Sequence, residues 1–242
     1  MKKMRSDRIR RLAAMALAAA LACGVILAAV PSVRAEASVK APANCRFYQW
    51  LNTEYTKCQL KWDKVSGASG YETCWSWSDG THKKTQTWKG QSSGLVYNVP
   101  NNRVSIFKVR AYKTSGSKKT YSEWSNTAYI VPSPTTITWN WAYSNGVPTE
   151  KFTWNRIYGA SGYRIYVTMD RSGKWYPVYT TYQSTKLSAT VSKYRGAMMK
   201  TGKKGQYKYY FRIVSLRKVN GNYKEAPLYS DSYGPGYFYF TK

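Results

Sequence analysis

Apolar and polar positions alternate in short runs along most of the chain, and Gly, Ser, Asn and Pro separate the runs. QLKWD (59–63), YETCWSW (71–77), VSIFKVRAY (104–112), KFTWN (151–155), YRIYVT (163–168) and YYFRIVSL (209–216) each alternate over strand lengths. Beyond the first 35 residues no segment carries an apolar stripe of helical period. Turn signals recurring every eight to twelve residues or so predict an antiparallel β-sandwich or barrel.

These runs are organised by a repeat. WDKVSGASGY (62–71) returns as WNRIYGASGY (154–163), so Trp62 matches Trp154 and Tyr71 matches Tyr163, and Val99 matches Val191 at the same spacing. FKVRAYK (107–113) then matches FRIVSLR (211–217), and YSE (121–123) matches YSD (229–231). The second copy is longer ahead of its sixth strand, as expected where connections absorb length changes at little cost. Parity places Leu60 with Trp62 and Phe152 with Trp154 on inner faces, with Tyr71, Thr73 and Trp75, and Tyr163, Ile165 and Val167, on the inner faces opposite. The glycines at 67, 70, 159 and 162 mark a tight link between sheets.

The run L-x-W-x-x-V-x-G-A-x-G-Y, followed by the V-R-A-Y strand and Y-S-x-W-S, resembles the bacterial fibronectin type III module found in secreted and surface proteins. The resemblance implies an all-β chain of two tandem immunoglobulin-like (fibronectin type III) sandwiches, each of seven strands in two antiparallel sheets. Module one spans 42–132 and module two 133–242, with Pro132-Ser133-Pro134 as a short, stiff linker. YSEWS (121–125) is similar to the W-S-x-W-S signature of some fibronectin-type receptor modules, which implies Arg110 stacked over Trp124. Copy two has Val214 and Ser232 at those two positions, so the ladder is expected to be absent there.

The first 35 residues follow a different pattern. A basic start (MKKMRSDRIRR), an apolar run (12–30) and Val33-Arg34-Ala35 before Glu36 read as a secretory signal peptide, residues 1–35. The competing reading is an uncleaved anchor, the one case in which the chain would meet a membrane. The whole chain carries a formal +27, and 31 basic against 10 acidic residues beyond position 35 still leave +21. That excess favours polyanionic partners: anionic cell-wall polymers, glycans or an acidic protein. Nucleic acid is supported by charge alone, with no groove-reading motif.

Three cysteines follow the leader. Cys58 shares inward parity with Leu60 and Trp62, Cys74 faces outward, and Cys45 lies on the preceding strand, so the expected bridge is Cys45–Cys58. Their spacing matches no zinc pattern, and no cofactor is implied. The lone His82 lies in a polar turn with no nucleophile signature beside it, and no two acids fall in a recognised motif. The chain reads as non-enzymatic. The candidate ligand-binding residues are Trp175 and Tyr176, which follow a Ser-Gly turn, and Arg195, Lys200, Lys203 and Lys204 in the basic insertion KYRGAMMKTGKKGQYK (193–208). Trp139, Trp141 and Tyr143 also alternate, a pattern that in a sandwich reads as core. The function these features imply is a secreted or cell-surface adhesion or binding protein for anionic wall polymers or glycans. The alternative is an accessory module of extracellular polysaccharide degradation.

Overall fold

The structure, a computed structural model, describes residues 39–90, 94–230 and 236–241; the expected leader lies outside the described residues. Module one contains β1 (Arg46–Trp50), β2 (Lys57–Lys61), β3 (Gly70–Trp77), β4 (Lys84–Lys89), β5 (Gly94–Asn98), β6 (Ser105–Ser115), β7 (Lys118–Tyr121) and β8 (Ala128–Ile130). Sheet β1-β2-β5 faces sheet β4-β3-β6, whose outer position is shared by β7 and β8 along the length of β6. Module two repeats this plan. It contains β9 (Ile137–Ser144), β10 (Val147–Trp154), β11 (Gly162–Thr168), β12 (Tyr176–Thr181), β13 (Ser188–Val191), β14 (Lys193–Tyr194), β15 (Ala197–Met198), β16 (Thr201–Gly202), β17 (Tyr209–Val219), β18 (Asn222–Glu225), β19 (Gly236–Phe238) and β20 (Phe240–Thr241). Its sheets are β9-β10-β13 and β12-β11-β17, with β18 and β19 sharing the outer place beside β17. Each module therefore has a three-strand layer against a four-strand layer, all antiparallel, with one apolar core between them.

The duplicated Gly-Ala-Ser-Gly-Tyr is the crossing between layers, and every position in it has a physical role. Gly67 and Gly159 take the left-handed backbone (φ 73° and 82°). Ala68 and Ala160 are buried. The Ser69 and Ser161 hydroxyls accept from the backbone N–H groups of Thr114 and Lys218. A Cβ on Gly70 would stand 2.2 Å from the Trp88 carbonyl oxygen, and one on Gly162 would stand 2.0 Å from that of Thr181. The Tyr71 hydroxyl accepts the Val65 N–H at 2.8 Å, and the Tyr163 hydroxyl accepts the Ile157 N–H at 2.9 Å, both in buried surroundings. Trp62 and Trp154 close the arrangement edge-on to these tyrosines, at 5.4 and 5.5 Å.

Two expectations are corrected by the strand register. Tyr97 faces Cys58, and Val191 faces Glu150, so Val191 occupies the place of Tyr97 and not that of Val99. Part of the added length of copy two therefore lies ahead of its fifth strand. The second correction concerns the Cys45–Cys58 bridge: both cysteines are buried free thiols. Arg46 faces Lys61 and Trp50 faces Cys58, so Cys45 sits at the far end of the β1–β2 ladder. Some four residues of strand separate the two positions, about 13 Å, where a disulfide needs Cα atoms within about 7 Å. Asn126 holds the Cys45 backbone from both sides, and burial pushes the Cys45 and Cys58 thiols up to about 11 and about 12.

The linker is packed in place: Val131, Pro132, Ser133 and Pro134 are all buried. The Val104 N–H donates to the Tyr158 carbonyl, and the Tyr158 N–H donates to that of Asn102, both at 2.8 Å. The Trp50 indole N–H donates to the Pro227 carbonyl at 2.9 Å, and Val104 is part of the module-two core. Gly159 lies at this junction, where a Cβ would meet Ser78 Oγ at 2.3 Å and Val104 Cβ at 3.2 Å; Gly67, at the equivalent turn, has open space around it. Gly67→Ala should cost about 1 kcal/mol through left-handed strain alone. Gly159→Ala carries the same strain and also displaces module one, so its urea midpoint should fall further. Equal losses would mean that the Gly159 contact does not couple the modules.

Candidate functional site

The basic insertion of module two is built into the fold at several points. β14 and β15 form a hairpin around Arg195-Gly196, both at positive φ (52° and 83°), the geometry of a two-residue type I′ turn. The other two-residue turns of this module with that geometry are Asn145-Gly146 and Asn220-Gly221, the residue pair such turns favour. Arg195 occupies a position that disfavours it, at a cost of order 1 kcal/mol. Met199 then plugs the core, and the Lys200 N–H donates to the buried Tyr209 hydroxyl at 2.9 Å. Thr201 and Gly202 pair in parallel with Phe240 and Thr241, tying the insertion to the C-terminal strand.

This anchoring points the cations outward around a defined hollow. An open pocket of about 550 Å³ is lined by Thr201, Gly202, Lys203, Lys204, Gln206, Tyr207 and Thr241, with no carboxylate side chain among these described residues. Lys200 Nζ lies 5.6 Å from the Tyr207 ring centroid, which brings the third lysine to the pocket wall. The Gln206 side-chain oxygen accepts the Lys203 N–H at 3.0 Å and orders the loop. Lys203 and Lys204 thus line one pocket, with Lys200 beside its Tyr207 wall.

The other three candidates lie apart from that pocket. Arg195 stands 4.9 Å over the Tyr176 ring, with Lys174 at 5.5 Å, and Tyr176 meets Tyr194 edge-on at 5.6 Å. Trp175 is under Arg212 at 4.5 Å, and Arg212 is also 5.1 Å from Tyr166. Trp175 and Tyr176 are both half-buried beneath cations, so their rings are not open stacking faces. In module one Arg110 lies 4.6 Å over Trp124 and 4.1 Å over Tyr121, and its guanidinium bonds Glu72 at 2.6 Å. In copy two the Glu72 position is Arg164, which pairs with Glu225 of β18. Copy two thus has its own ladder, centred on Arg212 and not on Val214.

The alternating aromatics of β9 differ from expectation: Trp139, Trp141 and Tyr143 are 39%, 42% and 47% exposed. β9 is the outermost strand of its layer, with Trp139 against Phe211 of β17 and Trp141 against Phe240 of β20. Directly opposite Trp141 stands Glu150, fully buried with neither carboxyl oxygen hydrogen-bonded. Its signal in the sequence is an acid at an inward position of KFTWN's own strand, in step with Phe152 and Trp154. Of the other described acids, Asp79 and Asp170 cap turns, and Asp63, Glu72 and Glu225 pair with arginines. His82 lies flat on Trp77.

Burial pushes the Glu150 carboxyl up from 4.5 to about 8. The folded chain therefore holds a proton that the unfolded chain has released. The stability this group contributes is fully present below about pH 4.5 and is lost as the pH rises through about 8. Glu150→Gln should flatten that dependence: between roughly pH 5 and pH 9 its melting temperature should fall less than that of the parent protein. Parallel curves would show that Glu150 is not neutral inside the fold.

The strand order, the sheet partition and the repeated crossing define a pair of fibronectin type III-like sandwiches in tandem. Among solved structures, the chain is similar to a two-domain fibronectin type III segment of chicken tenascin. It is 14% identical, covering 77% of this chain and 97% of that one, with a TM-score of 0.38. It is also similar to the FN1–FN3 domains of chicken CNTN1, again 14% identical, covering 78% of this chain and 62% of that one, with a TM-score of 0.32. No family model and no curated protein matches the chain.

Proposed function

We propose that this is a non-catalytic binding or adhesion protein that acts outside the cell and holds an anionic wall polymer or glycan against module two. The carrying observation is the pocket lined by Lys203 and Lys204, with Lys200 beside its Tyr207 wall and no carboxylate among its described lining residues. Three ammonium groups around an open hollow raise the local potential and attract extended polyanions. The net charge of +27 extends the same bias over the whole molecule, and the leader-like first 35 residues support an extracellular setting. Arg195 adds a cation at the hairpin tip, held there despite its unfavourable backbone.

Binding to purified cell walls or to anionic glycans should weaken steeply as salt rises, because exposed charges are screened within about 8 Å at physiological ionic strength. Lys200→Glu, Lys203→Glu and Lys204→Glu together should weaken binding about tenfold or more, a loss of roughly 1.4 kcal/mol or more. Affinity that is the same at low and high salt would overturn the electrostatic mode. Arg195→Asn gives a separate check. It should leave the melting temperature unchanged or raise it, because Asn suits the turn, and should reduce polymer binding. Stability gained with no loss of binding would remove Arg195 from the site.

A further inference from the structure

The edge strand β9 presents Trp139, Trp141 and Tyr143 on one face. The Trp141 and Tyr143 ring centroids stand 5.8 Å apart. All three rings are partly exposed to solvent. Trp139 packs edge-on against Phe211 at 4.8 Å, and its ring passes so close to Gly236 that a Cβ there would stand 2.8 Å away. Trp141 meets Phe240 edge-on at 6.2 Å, and the Tyr143 hydroxyl donates to the Thr241 carbonyl at 2.9 Å. Phe240 and Thr241 are the residues that pair with Thr201 and Gly202, and Thr241 also lines the lysine pocket. The aromatic strip therefore leads along the C-terminal strand directly into the pocket.

We propose that the strip and the pocket form one cleft for an acidic polysaccharide. Sugar rings lie on Trp139, Trp141 and Tyr143, and an acidic substituent sits among Lys203, Lys204 and Lys200. This rests on the pocket reading above and names the ligand class more narrowly. The axial C–H face of a pyranose is apolar and its rim is hydroxylated, which suits half-open aromatic rings. Trp141 and Tyr143 are in edge-to-face contact at 5.8 Å and 84°, so the two rings form one contiguous aromatic surface. Single-stranded nucleic acid also combines stacking with charge, but it carries a phosphate at every unit and needs cations along its whole track. β9, ITWNWAYS, has no charged residue, while Lys203 and Lys204 line the pocket. A polymer with uncharged sugars followed by an acidic group matches that layout.

Affinities of the protein can be measured for polygalacturonate (carboxylate), a glucosylated glycerol-phosphate teichoic acid (phosphodiester), inorganic polyphosphate (charge without sugar) and oligo-dT. The parent protein should bind polyphosphate and at least one acidic glycan, and the stronger of the two glycans identifies the acidic group. The Trp141→Ala, Tyr143→Ala double variant should lose at least tenfold on that glycan and nothing on polyphosphate, and Trp141→Phe should restore most of the loss. Glycan binding unchanged in the double variant would overturn the strip and leave the pocket reading intact. Failure of the parent protein to bind either glycan or polyphosphate would overturn both. Tighter binding of oligo-dT than of either glycan, lost in the double variant, would overturn the polysaccharide in favour of nucleic acid.

Discussion

Each module depends on one buried hydrogen bond, the backbone N–H of Val65 or Ile157 donated to the hydroxyl of Tyr71 or Tyr163. Where the chain leaves one sheet for the other, it has no ladder to satisfy its own backbone. A buried N–H without a partner costs about 1–3 kcal/mol, and the tyrosine placed six residues on removes that cost from within the core. The same ring supports the tryptophan that precedes the crossing, so the turn, the interlayer spacing and the centre of the core are set together. Gly70 and Gly162 follow from this. With the tyrosine held inward, the residue before it is pressed against the carbonyl of the neighbouring strand, and no side chain fits.

The second crossing does additional work. Its Gly159 backbone passes against Ser78 and Val104 of module one, and the buried Pro-Ser-Pro segment and the Trp50–Pro227 hydrogen bond lock the same junction. A proline-bounded linker suggests stiffness in the sequence, but burial of that linker could not be read there, because it depends on residues up to 177 positions apart meeting at the junction. The result is a welded pair in which the surface of module two is held in a fixed relation to module one.

Strand identity, the twofold repeat and the inward residues were legible in the sequence because alternation and glycine spacing are local signals. Cys58 inward and Arg110 outward follow from parity in the same way, and the stacking of Arg110 over Trp124 is what the YSEWS resemblance implies. What parity cannot give is position along a ladder. Cys45 and Cys58 are on neighbouring strands, yet the β1–β2 register sets them at opposite ends. Nor does it distinguish a central strand from an edge. Trp139, Trp141 and Tyr143 do point to the inner side, as their alternation implies, but β9 overhangs the opposite layer and leaves them half open. The basic insertion reads as a flexible glycine-rich loop, while Met199 and the Tyr209 hydroxyl give it a fixed shape through contacts that no local pattern announces.

The two copies share the crossing and differ in what is built upon it. At the position opposite the fifth strand, module one buries a small thiol, Cys58, and module two buries an uncompensated carboxyl, Glu150. An apolar residue there would stabilise the fold, since a desolvated acid with no hydrogen bond is a cost wherever it occurs. Arg195 is a second such departure, a charged residue in a turn that its sister hairpins fill with Asn. Both lie in module two, one beneath the aromatic strip and one at the tip of the basic insertion; module one has left-handed residues of its own at Tyr55 and His82, and its described residues include no buried carboxyl like Glu150. Natural sequences break local rules mainly where something other than stability is being served. The two departures fit the proposal that module two carries the binding surface, with module one as the body that holds it in place.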